Sequence, residues 1–156
     1  MNRLALVALV ALAGGSTVAC ESPLSPLELA ELNAAEARWA ARPFQSYAIE
    51  MSESCFCDPI LNQWARVEVV NGLVNRVVLV DSGTEVSPLQ RSYFRTVEEV
   101  FHSIRAAQHD DWVKDIVVEF DPQFGFPTSV RFVPKEEILD GGSHGRLRNA
   151  APLPTH

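Results

Sequence analysis

The chain is poor in the residues from which catalytic and nucleic-acid sites are built. It has four histidines, three cysteines and two tyrosines in 156 residues. His102 and His109 stand seven residues apart, a two-turn spacing rather than the i, i+4 pair that a helix offers a metal, and His144 and His156 lie near the C-terminus. No phosphate loop, dinucleotide fingerprint or nucleophile elbow occurs. No enzymatic reading and no cofactor therefore has a motif behind it. Basic residues are short too, 13 against 20 acidic, for a formal net charge of −7. An acidic surface repels phosphates, which argues against nucleic acid as a partner and against a polybasic patch on anionic lipid. No apolar run approaches the roughly twenty residues of a bilayer span.

What is present begins with an address. Met1-Asn2-Arg3 is a short basic start, Leu4–Ala13 an unbroken apolar run, and Gly14–Ala19 a small-residue segment. That order reads as a secretory signal peptide over residues 1–19, with an uncleaved anchor as the alternative. Ser16-Thr17-Val18-Ala19-Cys20 resembles the lipobox of bacterial lipoproteins, with Thr17 where leucine is usual. Lipidation of Cys20 leaves Cys55 and Cys57 as a pair, whereas ordinary cleavage near Ala19 leaves an odd thiol in an oxidising compartment. Residues 20–25 then form a short linker to a lipid anchor. With Arg3 removed, 12 basic side chains face 20 acidic ones, a net charge of −8. At 47% hydrophobic residues the remainder is apolar enough for one folded domain.

Residues 26–140 alternate between helical and strand periodicity. Ser25, Pro26 and Glu28 make a capping box with proline at the first helical position, and Pro43 stops the helix. Leu29, Leu32 and Trp39 give it only a narrow apolar stripe. From Gln45 the period becomes two, with Tyr47, Ile49 and Met51 on one side. Trp64–Val70 and Leu73–Val80 flank Asn71-Gly72, a strong hairpin signal, and matching their apolar faces requires a bulge near Asn75 or a longer loop. Residues 81–95 read as a loop. Thr96 and Glu99 make a second capping box, and Val97, Val100, Phe101 and Ile104 recur at helical spacing. Glu98 falls outside that stripe and reads as solvated, so Glu98→Ala is expected to cost well under about 1 kcal/mol. Ile116, Val118 and Phe120 mark a further strand, and Thr128–Val133 the last one. Residues 141–156 are rich in Gly, Ser, Arg, Asn and Pro and read as a disordered tail. The expected architecture is α+β: a mainly antiparallel sheet of about five strands, with the N-terminal helix and one amphipathic helix packed on one face.

Four motifs in order carry a resemblance. They are Cys55-Phe56-Cys57 after a Tyr-containing strand, Val67-x-Val69 leading into Asn71-Gly72, Thr96-Val97-Glu98-x-x-Phe101, and Phe120-Asp121-Pro122 leading to Gly125-Phe126-Pro127-Thr128. The chain resembles, over roughly Phe44 to Val133, a bacterial family of exported, often lipidated proteins known only as a domain of unknown function. Phe126 stands where that family has tyrosine, and Lys135-Glu136-Glu137 and the loose tail replace a further strand-like stretch. The resemblance implies a fold and no mechanism.

Cys55-x-Cys57 is the one feature with chemical potential. In an extended strand, residues i and i+2 lie about 6.6 Å apart with Cβ atoms too distant for a disulfide, so a bond needs a bend at Phe56. Asp58-Pro59 makes a reversal there reasonable. A local disulfide pinning a turn leads, over a reducible redox pair, a thiolate metal site and free thiols. An exposed Phe124-Gly125-Phe126 turn is a further candidate edge for a partner. The leading functional expectation is a non-enzymatic binding or structural module of the cell envelope. It would be lipid-anchored through Cys20 and meet an envelope protein or small ligand. The alternative is a thiol-redox or metal-handling protein using Cys55 and Cys57. Cys20→Ser should release the chain from the membrane fraction, because acyl chains bind a bilayer by about 0.8 kcal/mol per buried CH₂. Retention through salt and carbonate washes, with the leader uncleaved, would overturn the anchor.

Overall fold

Helix and strand boundaries follow the caps and turns of the sequence in a computed structural model, which describes residues 22–136 and 142–154. Cys20 and the proposed signal segment lie outside the described residues. Helix α1 (Pro26–Ala40) starts at the expected capping box, with Ser25 accepting from the Glu28 amide and the Glu28 carboxylate from the Ser25 amide. Its buried residues are Leu32, Ala35 and Trp39. Strand β1 (Tyr47–Ser54) leads through a short 3-10 turn to β2 (Ala65–Val70) and β3 (Leu73–Leu79). Asn71 and Gly72 both take positive φ, 52° and 76°, as the tight hairpin requires. The register runs Val70 to Leu73 and Val69 to Val74, then slips so that Glu68 meets Arg76. Asn75 is the extra residue, and the bulge returns Val67 and Val77 to the same buried face.

The loop expected over 81–95 contains a four-residue helix, α2 (Pro88–Arg91), capped by Ser87. Helix α3 (Val97–Ala107) buries Val97, Val100, Phe101 and Ile104, the predicted stripe. Strands β4 (Val113–Phe120) and β5 (Pro127–Pro134) follow. Their connection is not an exposed aromatic edge. The Asp121 carboxylate accepts from the Gln123 and Phe124 amides, and Gly125, at φ 82°, lies so close to Ala35 and Arg38 of α1 that a Cβ would collide with them. Phe126 is buried edge-on to Trp39, and Phe124 packs edge-on to Phe44.

Residues 141–156 correct the sequence reading. Instead of a disordered tail, Ser143–Pro152 forms strand β6, and the sheet has six strands in the order β3-β2-β1-β6-β5-β4, every neighbour antiparallel. The strand escaped notice because only Leu147 and Ala150 give it apolar contact with the core. Its stability comes from backbone pairing on both edges, which composition does not reveal. A bulge opposite Ile49, with Asn149 at φ 58°, keeps it in step with β1.

Glu98 also departs from expectation. Its carboxylate accepts from Trp39 Nε1, Arg42 Nη2 and the Tyr47 hydroxyl, each at 2.8 Å, while the Tyr47 oxygen accepts from the Val97 amide at 2.9 Å. Arg42 stacks over Trp39, its carbon 4.0 Å from the ring centre. One carboxylate thus ties the end of α1, the start of β1 and the first turn of α3. Burial pushes the Glu98 carboxyl up, but its own backbone hydrogen bond, those from Trp39 and Tyr47 and the Arg42 charge prevail and hold it below 4.5. Burial drives the Tyr47 phenol upward.

Truncation separates the two kinds of contact. Phe101→Ala should cost about 3–5 kcal/mol through the cavity it leaves. Glu98→Ala should cost about 2 kcal/mol, since it strands the Trp39, Tyr47 and Arg42 donors; partial exposure of the carboxylate keeps the figure this low. Because Glu98 is depressed in the folded state, its contribution is complete above about pH 5 and is lost as pH falls through the folded value. Denaturant midpoints should therefore drop more steeply as pH falls below about 5 for the native chain than for Glu98→Gln. Parallel curves would remove Glu98 from this role.

Candidate functional site

All helices pack on one face of the sheet, where Tyr47, Ile49, Val67, Ile116, Val130 and Leu147 build the core. The alternate residues of each strand form the other face, and among the described residues no helix covers it. Strand pairing fixes which side chains meet there. Glu50 lies opposite Arg66 on β2 and Arg148 on β6, Ser52 opposite Arg146, and Ser54 opposite His144. On the far side of β6, Arg146 lies opposite Ser129 and His144 opposite Arg131. Of these, Ser129, Arg131, His144, Arg146 and Arg148, with Trp64 just before β2, line a shallow cleft of about 950 Å³, counted to its open side.

The cleft is cationic on a protein of net charge −7. Arg148 is neutralised by Glu50 at 2.8 Å and stacks on Trp64, its carbon 3.8 Å from the ring centre. Arg146 flanks the same ring at 5.5 Å. Among the described residues neither Arg131 nor Arg146 has a carboxylate partner. His144 Nε2 and Ser129 Oγ lie 2.9 Å apart. On β1, opposite Arg146, Ser52 is only 4% exposed, and among the described residues its hydroxyl has no hydrogen-bond partner. Glu119, opposite Ser129 on β4, is the acidic group on the rim. Chemically this is a surface for holding an anion.

The residues singled out in the sequence are distributed differently. Cys55 and Cys57 follow β1 in a bend, their Cα atoms 5.3 Å apart and their sulfurs within bonding distance. The bend at Phe56 is the one the pairing required, and it leaves the Phe56 ring 93% exposed. His102 and His109 are exposed, while His144 belongs to the cleft. Among the described residues no three His, Cys, Asp or Glu come together to hold a metal, so the metal-handling alternative finds no ligand set there. Sequence reasoning missed Arg131, Arg146 and Arg148. The signal was available as Arg-x-Arg alternation at 146–148, but only within a segment read as strand.

A family of unknown function, DUF6174, matches residues 31–150. The match extends past the stretch that carried the resemblance and takes in most of β6. No curated protein and no solved structure matches the chain.

The Cys55–Cys57 bridge closes a loop of three residues and constrains the unfolded chain little. Replacing both with Ser should lower unfolding free energy by about 1–2 kcal/mol and leave the sheet intact by circular dichroism. Loss of the folded state would make the bridge a requirement of the fold.

Proposed function

The chain belongs to the DUF6174 family, and on that premise we propose that it is an exported, lipid-tethered module of the bacterial envelope that holds an anionic ligand or partner on the open face of its sheet. Support for the tether is the leader and lipobox-like segment ending in Cys20. Support for binding is one observation: among the described residues, Arg131 and Arg146 stand without carboxylate partners in one cleft on a sheet face that no described helix covers. Some cations elsewhere are paired, as Arg76 is with Glu85 and Arg105 with Glu36, while Arg38, Arg91 and Lys135 also have no carboxylate partner among the described residues. What sets Arg131 and Arg146 apart is that they share one cleft. Placing two of them unpaired beside a third that is stacked and neutralised concentrates positive potential where the fold leaves room for a partner.

A thiol-exchange reading is favoured by a separate observation, the exposure of Cys57 in its bend. The acidic neighbours Glu53 and Asp58 oppose a reactive thiolate. A reduction potential below roughly −300 mV fits a structural clamp, whereas one near −180 mV with turnover of a disulfide substrate would favour exchange.

Retention on immobilised heparin, a probe polyanion, tests the binding reading. The native chain should be retained at low salt and released as salt rises, despite its net charge. Arg131→Gln with Arg146→Gln should abolish retention without changing the thermal midpoint by more than about 3 °C. Flow-through of the native chain at low salt would defeat the proposal.

A further inference from the structure

We propose that the β5–β6 part of this face is a binding site for a phosphoryl group, an inference that rests on the anion-binding reading above. Four side chains define it. Ser129 and Arg131 are alternate residues of β5, His144 and Arg146 alternate residues of β6, and the register sets Ser129 against Arg146 and Arg131 against His144. They form a two-by-two patch, about 5 Å across the strands and about 7 Å along them. The Ser129–His144 contact occupies one diagonal. The two unpaired guanidinium groups occupy the other.

The number of charges and donors selects the ligand class. A phosphoryl group carries up to two negative charges and three strong acceptor oxygens, and guanidinium forks match that geometry in bidentate fashion. A single carboxylate has one charge and two oxygens, so it would satisfy one arginine and leave the other unpaired. The Ser129 hydroxyl and the His144 ring add polar groups within the same patch. Ser52, opposite Arg146 on β1, is buried and does not line the cleft, and its hydroxyl has no partner among the described residues. Such a hydroxyl is expected to meet a bridging water, so the patch rests on the four side chains named above. The Arg148–Trp64 stack, held by Glu50, forms one wall and contributes shape rather than free charge. Glu119 opposes the ligand from the rim.

The shared chemistry could come from a lipid headgroup or from a soluble phosphate ester. The full chain, purified in detergent, is titrated by NMR with inorganic phosphate, with acetate at matched ionic strength, and with glycerol phosphate and soluble dihexanoyl phosphatidic acid. Phosphate should shift the His144 ring signals saturably, with a Kd below about 1 mM, and acetate should not. Arg131→Gln with Arg146→Gln should weaken phosphate binding at least about tenfold, and Glu119→Gln should strengthen it severalfold. Phosphatidic acid bound about ten times more tightly than glycerol phosphate assigns the site to a headgroup, and equal affinity assigns it to a soluble ester. Phosphate bound no better than acetate, or equally by the double variant, overturns the proposal. If that occurs while heparin is still retained through the same arginines, the phosphoryl assignment falls and the anion-binding reading stands. If retention is lost as well, both fall.

Discussion

The sheet depends on the backbone hydrogen bonds of β6. In the order β3-β2-β1-β6-β5-β4, this last strand of the chain separates two antiparallel groups, and it alone pairs with both. Without it, β1–β3 and the β4–β5 hairpin would each present an open edge, and the core would lose Leu147 from its centre. Contacts between the first strand and the last also close the longest loop in the chain. Such pairing carries the largest loop-closure entropy in the sheet. Everything on the open face inherits its positions from this ladder.

A second constraint governs the helices. The narrow apolar stripe of α1 buries only three residues, too few to set its orientation. Orientation comes instead from Trp39 and Arg42 meeting Glu98, from Arg105 bound to Glu36, and from Gly125 approaching the α1 backbone closely. Most of the motifs that carry the family resemblance fall on this scaffold. Glu98 is the hub, Asn71-Gly72 the hairpin turn, Asp121 and Gly125 the turn under α1, and Phe126 the wedge against Trp39. Of those motifs only Thr128 touches the cleft. The resemblance therefore describes how the chain folds, and the proposed anion site draws on residues outside it.

The elements legible in the sequence were those specified locally. Both capping boxes, the Asn75 bulge and the buried face of α3 are written in spacings of a few residues, and each was found where expected. Three features were hidden because their cause is distant in sequence. Glu98 looked solvated, since its three donors lie more than fifty residues away. The cleft arginines are brought together by strand pairing, and no linear motif spans β5 and β6. The β6 segment lacked the alternating apolar pattern because one of its faces meets the core through small residues and a single leucine.

The concealment of β6 and the character of the cleft have one origin. A two-layer fold covers one face of its sheet and leaves the other to solvent, so central strands may carry polar residues on the open side. His144, Arg146 and Arg148 use that freedom, and the same residues made the segment resemble a tail. Being flanked by paired strands on both sides, they are also held more rigidly than loop residues would be. Rigid placement lowers the entropy lost when a ligand orders its contacts. It also lets a modest number of cations act together against the negative field of the rest of the molecule. A strand with too little apolar surface to be recognised thus carries two of the four side chains of the proposed phosphoryl site, His144 and Arg146.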